Sequence, residues 1–242
     1  MNSFEQGLAR YLDEGLLAFL RTVRIGVIGA GGLGSNCAVH LVRSGFTDLI
    51  LADADTVEPS NLNRQHFTLA QVGSPKVQAL RENLLAINPA ARIEIHHVHV
   101  DTLNMPVLFG NCDAVVEAVD DPRTKKLIIE TLASTDRLLV GASGLGGVGH
   151  AGQMRVRTLG PNLVIVGDLA TACGAATPPL SPGVGMAAAM QADVILNYFH
   201  TLFQTAEKFK TRRAFKNGEM QGSEKIQGAQ CIRLMRGLDF FR

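Results

Sequence analysis

The chain has 242 residues and a mass of 25.9 kDa, 46% hydrophobic and 19% charged, which is long enough for one large or two small domains and too apolar for wholesale disorder. Its formal net charge of +1 excludes a generally basic nucleic-acid coat. Cys37, Cys112, Cys173 and Cys231 form no CxxC pair, so neither a disulfide framework nor a tetracysteine zinc site is expected.

In chain order, Met1 to Tyr11 carries an acid, Glu5, and no apolar core of the signal-peptide kind. Arg24–Gly29 is a short apolar run ending at glycine and predicts a buried strand. Leu33–Ser44 has Leu33, Cys37, Leu41 and Val42 at helical spacing. Asp48–Asp53 predicts a second strand, and Pro75–Ala86 a helix with Val77, Leu80, Leu84 and Leu85 on its apolar side. Ile93–Val100 and Ala114–Ala118 predict two further strands. Pro122–Leu132 predicts a helix with Pro at N1, where its missing N–H costs nothing. Leu138–Ala142 is a fifth strand. The alternation predicts an α/β fold with a doubly wound, mostly parallel, Rossmann-like sheet.

After Gly149 the pattern changes. Gln153–Leu159 and Leu163–Val166 predict an antiparallel strand pair, Thr171–Gly183 a Gly/Pro-rich loop, and Val184–Phe203 a long C-terminal helix. That last stretch is interrupted by Gln191, Asp193, Asn197 and His200, so a buried helix fits better than a membrane span. A soluble cytoplasmic protein is expected. Residues 204–242 hold nine Lys and Arg against four Asp and Glu and are read as a basic C-terminal extension of a domain covering residues 1–203.

The chemistry concentrates at Gly29-Ala30-Gly31-Gly32-Leu33-Gly34. This GxGxxG run lies between a strand and a helix, where backbone N–H groups and the helix dipole can hold a phosphate. Asp53 closes the second strand and is placed to accept from ribose hydroxyls. A dinucleotide oxidoreductase would look the same to this point. Beyond it come Asp55, then Asn61-Leu62-Asn63-Arg64-Gln65, then Gly73-Ser74-Pro75-Lys76. A planar guanidinium and a mobile ammonium exceed what a pyrophosphate that is never broken requires. They suit a triphosphate cleaved between α and β, where charge builds on the leaving group. Asp120, after the fourth strand, is a candidate Mg²⁺ ligand, and Asp121 a helix N-cap. His96, His97 and His99 sit on the predicted third strand, with His97 and His99 on one face. A metal role for them is disfavoured.

The runs GAGGLGSN, LADADTVEPSNLNRQ and GSPK, with the Asp of VDD, resemble the ThiF/MoeB superfamily, which includes the adenylation domain of ubiquitin-activating enzymes. The closest subgroup is the short ThiF-like proteins of thiamine biosynthesis. The resemblance implies ATP- and Mg²⁺-dependent adenylation of the C-terminal carboxylate of a ThiS-like sulfur carrier ending in Gly-Gly, by a homodimer. It further implies that Gly29, Gly31, Gly32 and Gly34 form the phosphate turn, Asp53 and Asp55 serve the nucleotide, and Asn61, Arg64 and Lys76 stabilise the transition state. Asp120 would bind Mg²⁺. Arg10 best matches the arginine that reaches a partner's ATP, with Arg21 and Arg24 as alternatives. Cys173 matches the region of a crossover-loop cysteine used in sulfur transfer, and it would be reactive if nearby cations lowered its pKa. No structural zinc is expected. The alternatives are a relative acting on a MoaD-like carrier or on a tRNA-attached carboxylate, and a non-catalytic nucleotide-sensing scaffold.

Overall fold

The structure, a computed structural model, describes residues 1–133 and 135–217. Seven strands form one sheet: β1 (Arg24–Ile28), β2 (Asp48–Ala52), β3 (Arg92–His96), β4 (Ala114–Glu117), β5 (Leu138–Ala142), β6 (Arg155–Gly160) and β7 (Leu163–Gly167). Their order is β3-β2-β1-β4-β5-β7-β6. Every neighbouring pair is parallel except β6 with β7. The chain winds outward from β1 to β3 and then returns to β4 on the other side of β1. That reversal opens a crevice at the carboxyl ends of β1 and β4.

Among the described residues seven α-helices accompany the sheet: α1 (Ser3–Leu8), α2 (Glu14–Leu20), α3 (Gly32–Arg43), α4 (Lys76–Ile87), α5 (Asn104–Phe109), α6 (Pro122–Leu132) and α7 (Ser181–Asn217). Alternate strand residues face opposite sides, and each side has its own core. Ile25, Val27, Leu49, Leu51, Val116 and Val140 pack with α2, α3, α4 and α7. Ile28, Ile50, Val115 and Leu139 pack with Met105 and Phe109 of α5 and with Ile128 and Leu132 of α6. The result is a three-layer sandwich with the predicted strand pair and long helix at its C-terminal side.

Three expectations are corrected. Strand β3 stops at His96, so His97 and His99 lie in the following loop and not on a shared strand face. His97 Nε2 instead lies 2.6 Å from the Ala54 carbonyl, fastening that loop to the one after β2. Second, α7 starts at Ser181 and continues without a break past Phe203 to Asn217, so no element ends at residue 203. The basic segment therefore begins inside this helix. Its remainder, with Cys231, lies outside the described residues. Third, β6 begins at Arg155, after a single 3₁₀ turn at Ala151–Gln153. The short helices α1, α2 and α5 are additional to the elements that the sequence pattern predicts. Among the described residues no helix is long and apolar enough to cross a membrane.

Candidate nucleotide site

The crevice is a cleft of about 670 Å³, lined from the glycine turn across the ends of β2, β4 and β5 to the loop before α7. The turn is built by two different uses of glycine. Gly29 has φ +95°, and a Cβ there would lie 2.6 Å from the Ala118 carbonyl oxygen, so only glycine fits between β1 and β4. Gly34 is closed by packing: its Cβ would lie 1.8 Å from the Gly29 oxygen. Gly34 thus seats α3 against the turn and does not itself line the cleft, whereas Gly29, Gly31 and Gly32 do. Gly31 caps α3 without a side-chain acceptor, leaving the first N–H groups of a twelve-residue helix for an anion.

Asp53 braces the turn. Its Oδ2 accepts from Ala30 N–H at 2.6 Å and its Oδ1 from Asp55 N–H at 2.8 Å. The carboxylate is oriented before any ligand arrives and lines the cleft. Lys76, only 6% exposed at the start of α4, donates from Nζ to Asp55 Oδ2 at 2.6 Å. Both residues line the cleft, so the pair places an ammonium there with two N–H donors left over.

Arg64 reaches the cleft from a loop pinned to α3. Asn36 Nδ2 donates to the Arg64 carbonyl at 2.8 Å, and Ser35 Oγ accepts from His66 N–H at 3.0 Å. The guanidinium donates to the Ser60 carbonyl and to Asn63 Oδ1, which aims it along its own loop. Asn61 is placed differently from Arg64. It is buried and absent from the cleft wall, and its Oδ1 accepts from Glu58 N–H at 3.1 Å. Its carbonyl accepts from the N–H groups of Arg64 and Gln65. Asn61 therefore shapes the turn that carries Arg64.

Asp120 is exposed on the cleft wall after β4. Asp121 N-caps α6 through Thr124, whose hydroxyl and N–H hold its carboxyl below the usual range. Among the described residues no group of three His, Cys, Asp or Glu could hold a metal on its own. Asp120, an exposed carboxylate on the same cleft as the glycine turn, fits Mg²⁺, which is held by one or two carboxylates, keeps waters and takes much of its shell from phosphate oxygens.

Cys173 is exposed and also lines the cleft. Partial burial pushes its thiol up, Arg64 pulls it down and Asp120 adds to the rise. The cation expected to activate it is present, but its effect is outweighed. The loop is set by Asp168, which accepts from the Ala170 and Thr171 N–H groups and the Thr171 hydroxyl, next to Leu169 at φ +64°.

Three N-terminal arginines stand away from this cleft. Arg10 is exposed on the segment after α1. Arg21 pairs with buried Glu5 at 3.4 Å. Arg24 opens β1, at the amino end of the sheet, and pairs with Glu94 and Asp48.

Two residues that the sequence reading left without a role also reach the cleft. Gln65 is 8% exposed, and its Oε1 has no hydrogen-bond partner. Lys125 of α6 is held by Glu117, the last residue of β4, which is completely buried.

Known proteins resemble this chain in sequence and in fold. The adenylyltransferase and sulfurtransferase UBA4 of Vanderwaltozyma polyspora is 28% identical over 205 residues, covering 79% of this chain and 45% of that protein. Its counterpart in Aspergillus niger is 38% identical over 128 residues, covering 52% of this chain and 26% of that protein. The chain thus spans less than half the length of these curated relatives. Among solved structures, E. coli tRNA N6-threonylcarbamoyladenosine dehydratase, TcdA, in complex with AMP has a TM-score of 0.74 at 22% identity, over 84% of this chain and 95% of that one. E. coli MccB with AMPCPP and MccA has a TM-score of 0.61 at 19% identity, over 76% and 58%. Both show the same fold. The ThiF family model matches residues 5–230, nearly the whole chain, and the protein belongs to the ThiF family.

Proposed function

We propose that this protein is an ATP-dependent adenylyltransferase that activates the C-terminal carboxylate of a ThiS-like sulfur carrier ending in Gly-Gly. The observation that carries this reading is the convergence of the open α3 N-terminus, Arg64 and Lys76 on one cleft. Relatives named as adenylyltransferases, and fold neighbours solved with AMP, ATP or AMPCPP, support it.

In this mechanism Asp53 accepts from the ribose hydroxyls and the α3 N-terminus holds the phosphates. A carboxylate is a weak nucleophile towards a polyanion, and both reactants are negative. The site must therefore neutralise charge and align the attack, without a covalent enzyme intermediate. The acceptor oxygen bonds to the α-phosphorus while the bond from that phosphorus to the α–β bridging oxygen breaks. Pyrophosphate leaves and the acceptor keeps AMP as an acyl-adenylate. Arg64 and the two remaining Lys76 donors stabilise the charge growing on the leaving group, and Asn61 keeps Arg64 in place. Asp120, with phosphate oxygens, would hold Mg²⁺, which when bound supplies further neutralisation of the pyrophosphate.

The test is pyrophosphate exchange into ATP, together with the mass of the carrier after incubation with ATP and Mg²⁺. Exchange that depends on the carrier, and a carrier heavier by one AMP, are expected. Arg64→Ala should slow exchange about a hundredfold or more, the scale of losing one transition-state donor. Full exchange in that variant would refute the site assignment. A second reading, adenylation of a carboxylate on tRNA, draws on the basic segment from Gln204, with nine cations to four acids. Salt-sensitive tRNA binding in place of carrier modification would favour it.

A further inference from the structure

The roles assigned so far occupy the β1 and β2 side of the cleft, with Asp120 at its centre. The β4–β5 side holds a group with no role in that scheme. Glu117 is buried at the end of β4, and its Oε1 accepts from Val119 N–H at 3.0 Å. Its Oε2 accepts from Lys125 Nζ at 2.5 Å, and the same ammonium donates to the Ala142 carbonyl at 3.0 Å. Burial pushes the Glu117 carboxyl up, while Lys125 and the Val119 N–H oppose the rise. Behind it, Gln191 of α7 donates to the carbonyls of Glu117 and Val140.

An ammonium has three N–H donors. Two are taken up inside the protein, which leaves one on the side where Lys125, a quarter exposed, lines the cleft next to Ser143. The two internal bonds fix an otherwise flexible stem before any ligand binds. Electrostatically, Lys125 with Glu117 is a neutral pair. Such a pair contributes little to neutralising a triphosphate, but a fixed donor can orient a monoanion through one charge-assisted hydrogen bond. Position agrees with this. The order β2-β1-β4-β5 places the Asp53 subsite, the glycine turn, Asp120 and then Lys125 across the cleft. The β5 end is therefore the side that the nucleotide leaves for the second substrate.

We infer that Lys125 binds the acceptor's terminal carboxylate and that Glu117 is its positioning residue. This inference rests on the carboxylate-adenylating reading above. The experiment compares wild type, Lys125→Arg, and a double variant of Lys125→Met with Glu117→Gln. The double variant removes both charges together, so no unpaired carboxylate is left buried. Mg·ATP affinity is measured by calorimetry without acceptor. The acceptor KM and kcat come from pyrophosphate exchange, with a ubiquitin-fold carrier ending in Gly-Gly as the probe.

The double variant should raise the carrier KM roughly ten- to hundredfold, the equivalent of one charged hydrogen bond. ATP affinity should stay within about twofold, and Lys125→Arg should recover most of the loss by keeping a cationic donor. An unchanged carrier KM in the double variant, with an active wild type, overturns the assignment of Lys125 alone. So does a fall in ATP affinity that matches the rise in KM. A wild type that binds ATP yet shows no carrier-dependent exchange overturns the acceptor reading and this assignment together.

Discussion

Cys173 shows how a residue's place and its reactivity separate. It faces the cleft and feels Arg64, yet partial burial and Asp120 leave its thiol above the ordinary range. The thiolate is the nucleophile, so a raised pKa lowers reactivity at neutral pH. Cys37 and Cys112 are buried, and burial pushes Cys37 far up and Cys112 up to about 12. Peptide-resolved alkylation of the native protein at pH 7 should therefore label Cys173 in preference to Cys37 and Cys112, but more slowly than glutathione. The rate should climb as pH rises through the thiol range. Arg64→Leu should slow it further by removing the one cation that favours the thiolate. Alkylation of Cys173 faster than glutathione at pH 7 would show that the balance of charges lies the other way.

At the level of elements, α7 does two jobs along its length. Near its start Val184 touches the cleft, and about two turns further on its Gln191 supports the carbonyls of β4 and β5. Further on, Phe199 is 1% exposed, with ring centroids 6.0 Å from Phe46 and 6.3 Å from Phe19. This second half packs against α2 and against the turn between α3 and β2. Phe199→Ala should cost about 3–5 kcal/mol in urea unfolding, the usual range for an emptied aromatic site. Nucleotide affinity of the molecules that remain folded should be unchanged. A variant that melts like wild type would place Phe199 outside the cooperative core, and loss of ATP binding at full stability would join the two halves of the helix.

The same elements show what the sequence carries. β1, β2, β4 and β5 are legible because buried parallel strands are continuous apolar runs, ending here at Gly29, Asp53, Glu117 and Ser143. The glycine turn and Asp120 are legible because they follow strand ends directly, where such folds bind ligands, whereas Arg64 and Lys76, 12 and 24 residues after β2, are legible from the NLNRQ and GSPK runs that carry them. The predicted β3 runs too far because Val98 and Val100 alternate with histidines beyond the end of the ladder at His96, although the His96-His97 pair breaks the phase set by Ile93 and Ile95. α1 and α2 are short, and tertiary packing rather than a long apolar period sustains them. Their caps were nevertheless visible: Asn2 with Glu5 forms a capping box, and Asp13 accepts from Gly15 and Leu16 N–H. Glu117 and Lys125 were hidden because their pairing joins a strand to a helix. The available signal was a lone carboxylate ending an otherwise apolar strand.

For the whole molecule, Arg10 poses the question of assembly. Its own cleft lies at the carboxyl end of the sheet, and Arg10 is not part of that wall. If it serves catalysis as the resemblance implies, it does so in a second copy, and each homodimer site draws on both chains. Mixing two inactive variants then has a calculable result. Arg10→Ala keeps Lys76 but lacks the donated arginine; Lys76→Ala keeps Arg10 but lacks its own lysine. Random reassortment of equal amounts gives half mixed dimers, each with one complete site, so about a quarter of the wild-type exchange rate should return in a symmetric two-fold assembly. Each variant alone should stay near background. If Arg10→Ala is fully active by itself, Arg10 has no catalytic part. If it is inactive and mixing restores nothing, the arginine acts within its own chain, after a movement of the segment following α1.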